Sequence, residues 1–194
     1  MLNLKNELKR KLFHQSSLII PLSYFFLEKK TALIILGSIT IIFLLADILR
    51  FRVKFIRDLI FNIFRPIIRD HENNTFFGAT YVLIGGFFTV LLFEKNIAIT
   101  ALLYLTISDS LAALVGKSIG RIKINDKSLA GFLAFLISGY LIGIFVTQLH
   151  WKLALIGASL TAALELLMPK KLDDNLIIPV AGGLFLYVFS SILY

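Results

Sequence analysis

The sequence predicts an all-α integral membrane protein with about seven transmembrane helices and a cytoplasmic N-terminus. Three observations predict it. Of the 194 residues, 58% are apolar and only 16% charged, against about 25% charged in an average soluble chain. Mean hydropathy is +0.86. Apolar stretches close to the roughly 20 residues that cross a bilayer as a helix recur along the whole chain. This composition excludes an intrinsically disordered chain. Cysteine is absent, which excludes disulfide frameworks, thiolate zinc sites and iron–sulfur clusters.

The expected spans cover residues 12–27, 31–49, 76–93, 97–115, 129–149, 153–168 and 176–194. The first carries His14 and lacks a small-residue cleavage site, so it reads as a span rather than a signal peptide. Residues 50–70 are too charged to cross. There Phe55, Ile56, Leu59, Ile60, Ile63, Phe64, Ile67 and Ile68 recur at helical spacing, opposite Lys54, Arg57, Asp58, Asn62 and Arg65. That pattern predicts an amphipathic helix on the inner leaflet, kinked by Pro66. It would serve as an anchor or as a guide for an amphiphilic substrate. Residues 1–194 form a single polytopic domain without repeat or linker.

Orientation follows from the 20 lysines and arginines. With the N-terminus inside, 16 of them face the cytoplasm, and only Lys29, Lys30, Lys95 and Lys152 lie in the short outer turns. That is the positive-inside asymmetry. It also accounts for the net charge of +8 without nucleic acid. The long polar segments all face the cytoplasm. The expectation is a multi-pass protein of the cytoplasmic membrane, or its equivalent, with its active site on the cytoplasmic side.

Ionisable residues inside spans are costly and need a reason. His14, Asp47, Asp109 and Glu165 stand out. Asp47 reads as a local ion pair with Arg50 at i+3. Asp109 begins a run in which Ala112 and Gly116 follow on one helix face. Gly120, Arg121, Lys123, Lys127, Ser128 and Gly131 come next. A carboxylate can hold Mg²⁺, glycine lets a phosphate approach the backbone, and cations neutralise phosphate charge. Small-residue helix packing would account for the glycines but not for the aspartate. Gly116-Lys117-Ser118 is not a P-loop, because Leu111 stands where the first glycine is required. Glu165 faces Ala158, Thr161 and Ala162, and would support a metal site or bond a neighbouring helix. Asp173-Asp174-Asn175 reads as a helix cap. Arg10, Lys11 and His14 share a face that would bind phosphate, unless the cations snorkel. Gly139-x-x-x-Gly143 is a helix-packing spacing, within one chain or across a homodimer. No Ser/His/Asp triad or metalloprotease motif is present.

The run Asp109-x-x-Ala112-x-x-x-Gly116-x-x-x-Gly120-x-x-Lys123-x-x-x-Lys127-Ser128-x-x-Gly131 resembles the nucleotide-binding signature of the CTP-dependent lipid kinases. These include the dolichol, phytol and yeast-type diacylglycerol kinases. Further matches are Arg10-Lys11-Leu12-Phe13-His14, the segment Asn74-Thr75-Phe76-Phe77-Gly78-Ala79-Thr80-Tyr81, Glu165, and Asp174-Asn175-Leu176 with Pro179. The group is also similar to phosphatidate cytidylyltransferases. Their Ser-Pro-Lys-Lys-type segment is absent here, with Asp126-Lys127-Ser128 in its place.

The resemblance implies a kinase that moves the γ-phosphate of CTP to a membrane lipid alcohol: a polyprenol or dolichol, phytol or another isoprenoid alcohol, or diacylglycerol. Asp109 and Asp174 would hold Mg²⁺. Lys127, with Lys123 and Arg121, would offset phosphate charge. Ala112, Gly116, Gly120, Ser128, Gly131 and Asn175 would line the nucleotide site. Arg10, Lys11, His14 and Thr80 would contact substrate or phosphate. Asp109, Asp174 or Glu165 would accept the hydroxyl proton. The rivals are a CDP-lipid synthase of the cytidylyltransferase type and a small non-catalytic transporter.

Overall fold

The computed structural model describes residues 14–64, 72, 75–125, 127–169 and 172–193. The described residues are helical almost throughout. In order, α1 is Ile19–Phe26, α2 Lys29–Arg52, α3 Lys54–Phe64, α4 Gly78–Leu92 and α5 Lys95–Leu103. A π-helical turn, Tyr104–Ser108, joins α5 to α6, Asp109–Ile119. Strands β1, Lys123–Ile124, and β2, Lys127–Ser128, form a small hairpin. Then come α7, Leu129–Leu141, with a second π turn at Ile142–Val146; α8, Trp151–Leu167; and α9, Asp174–Leu193.

Among the described residues, four helices are long and apolar enough to cross a membrane: Lys29–Arg52, Lys95–Ile119, Leu129–Val146 and Asp174–Leu193. The other three expected spans coincide with helices of 8, 15 and 17 residues. The amphipathic helix starts at Lys54 rather than at residue 50, because the backbone turns extended at Val53. Phe55 and Leu59 are exposed on it. Residues 65–70, Pro66 among them, lie outside the described residues, as do Arg10, Lys11, Asn74 and Asp126.

The helices are packed inside out relative to a soluble bundle. On α2, Ile34, Ile35, Ile41, Ile42 and Leu45 are exposed, whereas Leu36, Thr40, Asp47 and Arg50 are buried at helical spacing. An outer face richer in Ile and Leu than the inner one suits a hydrocarbon solvent. The Lys95–Ile119 helix is central, with 72% of its apolar window buried, against 22–28% for the other three. Two short turns are tied together. Lys29 Nζ donates to the Phe93 carbonyl and Lys95 Nζ to the Leu27 carbonyl, both at 2.9 Å. Each ammonium thus satisfies an orphan carbonyl at a helix C-terminus. The Gly139/Gly143 spacing serves contacts inside the chain. A Cβ at Gly139 would meet Tyr104 at 3.1 Å, and one at Gly143 would meet Ala154 at 2.7 Å.

The Asp47–Arg50 pair is far more than a local contact. Both side chains are 1% exposed. Arg50 Nε donates to Asp47 Oδ1 at 2.5 Å, and its other nitrogens donate to the carbonyls of Glu72 and Thr75. Its guanidinium lies 3.8 Å from the Phe77 ring centroid. Asp47 Oδ2 accepts from the Phe77 amide at 3.1 Å and from the Thr80 hydroxyl at 2.6 Å. A buried charge pair is tolerable only when its remaining donors and acceptors are filled in this way. The pair fixes the entry to α4.

Removing one partner strands the other charge. Asp47→Ala should cost about 3–5 kcal/mol. Arg57→Ala, which breaks the exposed contact with Asp58, should leave stability almost unchanged. Thermal unfolding in detergent compares the two directly.

Candidate active site

The site is built where four pieces meet: the π turn, the hairpin, the end of α8 and the start of α9. The hairpin pairs Lys123 with Ser128 and Ile124 with Lys127. Asn125 takes the turn at φ 54°, a left-handed conformation that asparagine tolerates. This short turn aims Lys127 back at the bundle. Its Nζ donates to Glu165 Oε1 at 2.5 Å and to Asp174 Oδ2 at 2.9 Å. Glu165 is only 3% exposed. Burial alone would lower the Lys127 pKa. Asp174, Asp109 and Glu165 outweigh that and hold it above the ordinary lysine value. The ammonium therefore stays charged at any physiological pH.

Asp109 opens α6 directly after the π turn. One added residue rotates everything that follows by roughly 100°, since a helix has 3.6 residues per turn. Tyr104, Leu105 and Thr106 of the turn itself are in the core, and Asp109 after it lines a cavity. The carbonyls of this turn recruit the N-terminal segment. His14 Nε2 donates to the Leu105 carbonyl at 3.4 Å, and Gln15 Nε2 to the Thr106 carbonyl at 3.0 Å.

The glycines of the run are used by protein atoms. A Cβ at Gly116 would lie 2.7 Å from Ser128 Oγ, and one at Gly131 would lie 2.8 Å from the Ala112 carbonyl. The Ser128 hydroxyl accepts from the Gly131 amide at 3.1 Å and so caps α7. Small residues let α6 and the hairpin close on this cap. On the opposite side, Pro179 lacks an amide and frees the Asn175 carbonyl. Gly85 sits against that carbonyl, where a Cβ would come within 2.6 Å. This brings α4 onto the N-terminus of α9.

These pieces enclose a cavity of about 1460 Å³. His14, Asp109, Ala112, Gly116, Gly120, Lys123, Lys127, Ser128, Gly131, Glu165, Asp174 and Asn175 all line it. Two expected residues do not. The Thr80 hydroxyl is fully buried on Asp47, so Thr80 supports the wall from behind. Arg121 is exposed and off the wall. Sequence reasoning missed Glu72, whose Oε1 accepts from the Gly78 amide at 2.9 Å, and Asp173, whose Oδ1 accepts from the Asn175 amide at 3.0 Å. Both also line the cavity. Glu72 sits in a polar stretch that gave no helical period. Asp173 was legible only as a cap.

The Gly116–Ser128 contact is testable by coupling. Gly116→Ala should cost about 1–3 kcal/mol by overpacking. Ser128→Gly in the same chain should recover most of it, because glycine caps a helix almost as well as serine. A double-mutant cycle on thermal stability reads the interaction.

No protein-family model matches the chain, and no solved structure matches it. An uncharacterized protein of Rickettsia prowazekii is 37% identical over 96% of both chains. The CTP-dependent diacylglycerol kinase 1 of Schizosaccharomyces pombe is 29% identical over 73% of this chain and 73% of its own length. The protein of that name from Saccharomyces cerevisiae is 28% identical over 94% of this chain and 73% of its own length. The chain thus belongs to one family with the Rickettsia protein, and its kinase homologues support placing that family among the CTP-dependent lipid kinases.

Proposed function

We propose that this chain transfers the γ-phosphate of CTP to the hydroxyl of a membrane lipid alcohol. Diacylglycerol is the leading acceptor, because the kinase relatives carry it in their names. Polyprenol, dolichol and phytol are the isoprenoid alternatives. The observation that carries the reading is the convergence of Lys127, Asp109, Glu165 and Asp174 on one wall of a large cavity. Phosphoryl transfer asks mainly for positioning and charge stabilisation, and this wall supplies both.

The charge balance also bears on the cofactor. Three carboxyl groups surround one ammonium, so a bare triphosphate would be repelled. Among the described residues, no three or more His, Cys, Asp or Glu side chains are grouped to hold a metal. Mg²⁺ needs only one or two protein carboxylates, with phosphate oxygens and water completing its shell. Asp109 and Asp174 would hold it, and it would neutralise phosphate charge. Lys127 would face the γ-phosphoryl group as it transfers, with Lys123 along the triphosphate. Glu165 is nearly sealed, and its carboxylate is taken by Lys127, so it acts as a positioning residue. The alcohol oxygen attacks the γ-phosphorus, CDP departs, and the hydroxyl proton passes to Asp109 or Asp174. The orientation keeps the N-terminus and this site cytoplasmic.

Incubation with γ-labelled CTP, Mg²⁺ and a panel of lipid alcohols should place label in the organic phase. Label in pyrophosphate, with a CDP-lipid formed, would instead establish a cytidylyltransferase. Asp109→Asn and Lys127→Ala should each lower kcat by about 10²–10³-fold while the protein still inserts. Near-normal turnover in Asp109→Asn would remove the metal role from that residue.

The cysteine-free sequence makes orientation easy to read. A single cysteine placed at Arg121 should resist an impermeant maleimide in sealed cells, and one at Lys152 should react. The reverse pattern would invert the topology.

A further inference from the structure

The cavity continues past the polar wall. Its far part is lined by Ile19 of α1, Leu36, Ile39 and Phe43 of α2, and Val82 and Leu83 of α4. On α2 these residues step by three and four, and Asp47 follows four residues after Phe43. One helix stripe therefore runs from apolar wall to buried ion pair. From Leu36 to Asp47 is roughly 16 Å at 1.5 Å per residue, about half of the ~30 Å hydrocarbon core.

The slot has a floor and an open side. Leu36 and Val82 are each 7% exposed, whereas Ile19, Ile39 and Phe43 are 67%, 38% and 39% exposed. At the end away from Asp47, the Phe87 ring packs on Gly37, 3.2 Å from the position of a Cβ, and Ile20 meets Gly86. Thr40, the polar residue on this part of the stripe, has its hydroxyl bonded to the Leu36 carbonyl at 2.6 Å. The slot residues named above thus offer apolar surface, and the Thr40 hydroxyl is used within its own helix. The slot is continuous with the cavity that holds Lys127 and Asp109.

We propose that this slot between α1, α2 and α4 binds the hydrocarbon chain of the lipid alcohol, admitted sideways from one leaflet. This rests on the kinase reading. The geometry supplies what a membrane-bound acceptor requires: the chain stays in apolar surroundings while the hydroxyl reaches the charged wall. The slot ends at Gly37 and Phe87, roughly 15 Å along α2 from Asp47. A chain about one leaflet long fits it, and the remainder of a longer chain passes out along Ile39 and Phe43.

The test uses the full chain in phosphatidylcholine nanodiscs with a diacylglycerol bearing a diazirine on its acyl chain. After illumination, adducts are mapped by mass spectrometry. Adducts at Ile39, Phe43 and Leu83 should exceed those at Phe145, in the π turn after α7, and Ile192 on α9, which are 75% and 69% exposed. Excess unlabelled diacylglycerol should compete them away. Ile39→Trp, at a partly exposed position that can host the larger ring, should cut them about tenfold, and Ile39→Ala should retain them. Equal labelling at Phe145, or adducts that persist in Ile39→Trp, would overturn the slot. CTP-dependent phosphorylation of the same probe is measured alongside. Adducts without phosphorylation of the probe or of the isoprenoid alcohols keep the slot and sink the kinase reading; phosphorylation without enriched adducts does the reverse.

Discussion

The organisation of the site depends on where one ammonium group sits. Lys127 Nζ lies between the carboxylates of Glu165 and Asp174, which belong to α8 and α9. Stranding one member of a partly buried charge pair is far more costly than breaking a surface pair. The hairpin that carries Lys127 is only two residues per strand and has little stability of its own. The carboxylates hold it, and it in turn seats Ser128 over Gly116 and caps α7. Remove the ammonium and three elements lose their common point.

A second constraint acts from the other side of the cavity. The Asp47–Arg50 pair is sealed in the bundle, and each of its bonds lands on the segment that leads into α4. That segment includes Gly78, whose amide bonds Glu72 and whose carbonyl accepts from the Asn175 side chain at 3.4 Å. Charge buried in α2 thereby reaches the N-terminus of α9. The two polar clusters are linked through Asn175, and the apolar slot on α2 lies just beyond. This explains how a chain of 194 residues encloses so large a cavity: polar contacts brace its walls where hydrophobic packing alone would collapse them.

The π turn before Asp109 is the third element. Helices gain such a turn at some cost in hydrogen-bond geometry, and it tends to persist where a side chain must be re-aimed. Here His14 and Gln15 occupy its carbonyls, so the N-terminal segment braces the residue at the mouth of the site. His14 was expected to meet phosphate. Its ring nitrogen bonds a backbone carbonyl while the residue still lines the cavity.

Composition and pattern determined the helical membrane class, the long apolar helices and the amphipathic segment after α2, because each is a property of a local window. The same is true of most residues on the polar wall, since a carboxylate inside a span is anomalous wherever the chain goes. The role of the glycines was not legible. Glycine spacing is the same whether a backbone approaches a phosphate or a serine, and only the neighbour, Ser128, distinguishes them. Nor could sequence show that Thr80 turns away to Asp47, that Glu72 joins the cavity, or that Asp109 is rotated by a π turn. Those outcomes depend on pairings between residues tens of positions apart. The shape of the apolar slot belongs with them: Leu36 and Ile34 are chemically alike, and only packing decides that one faces the cavity and the other the lipid.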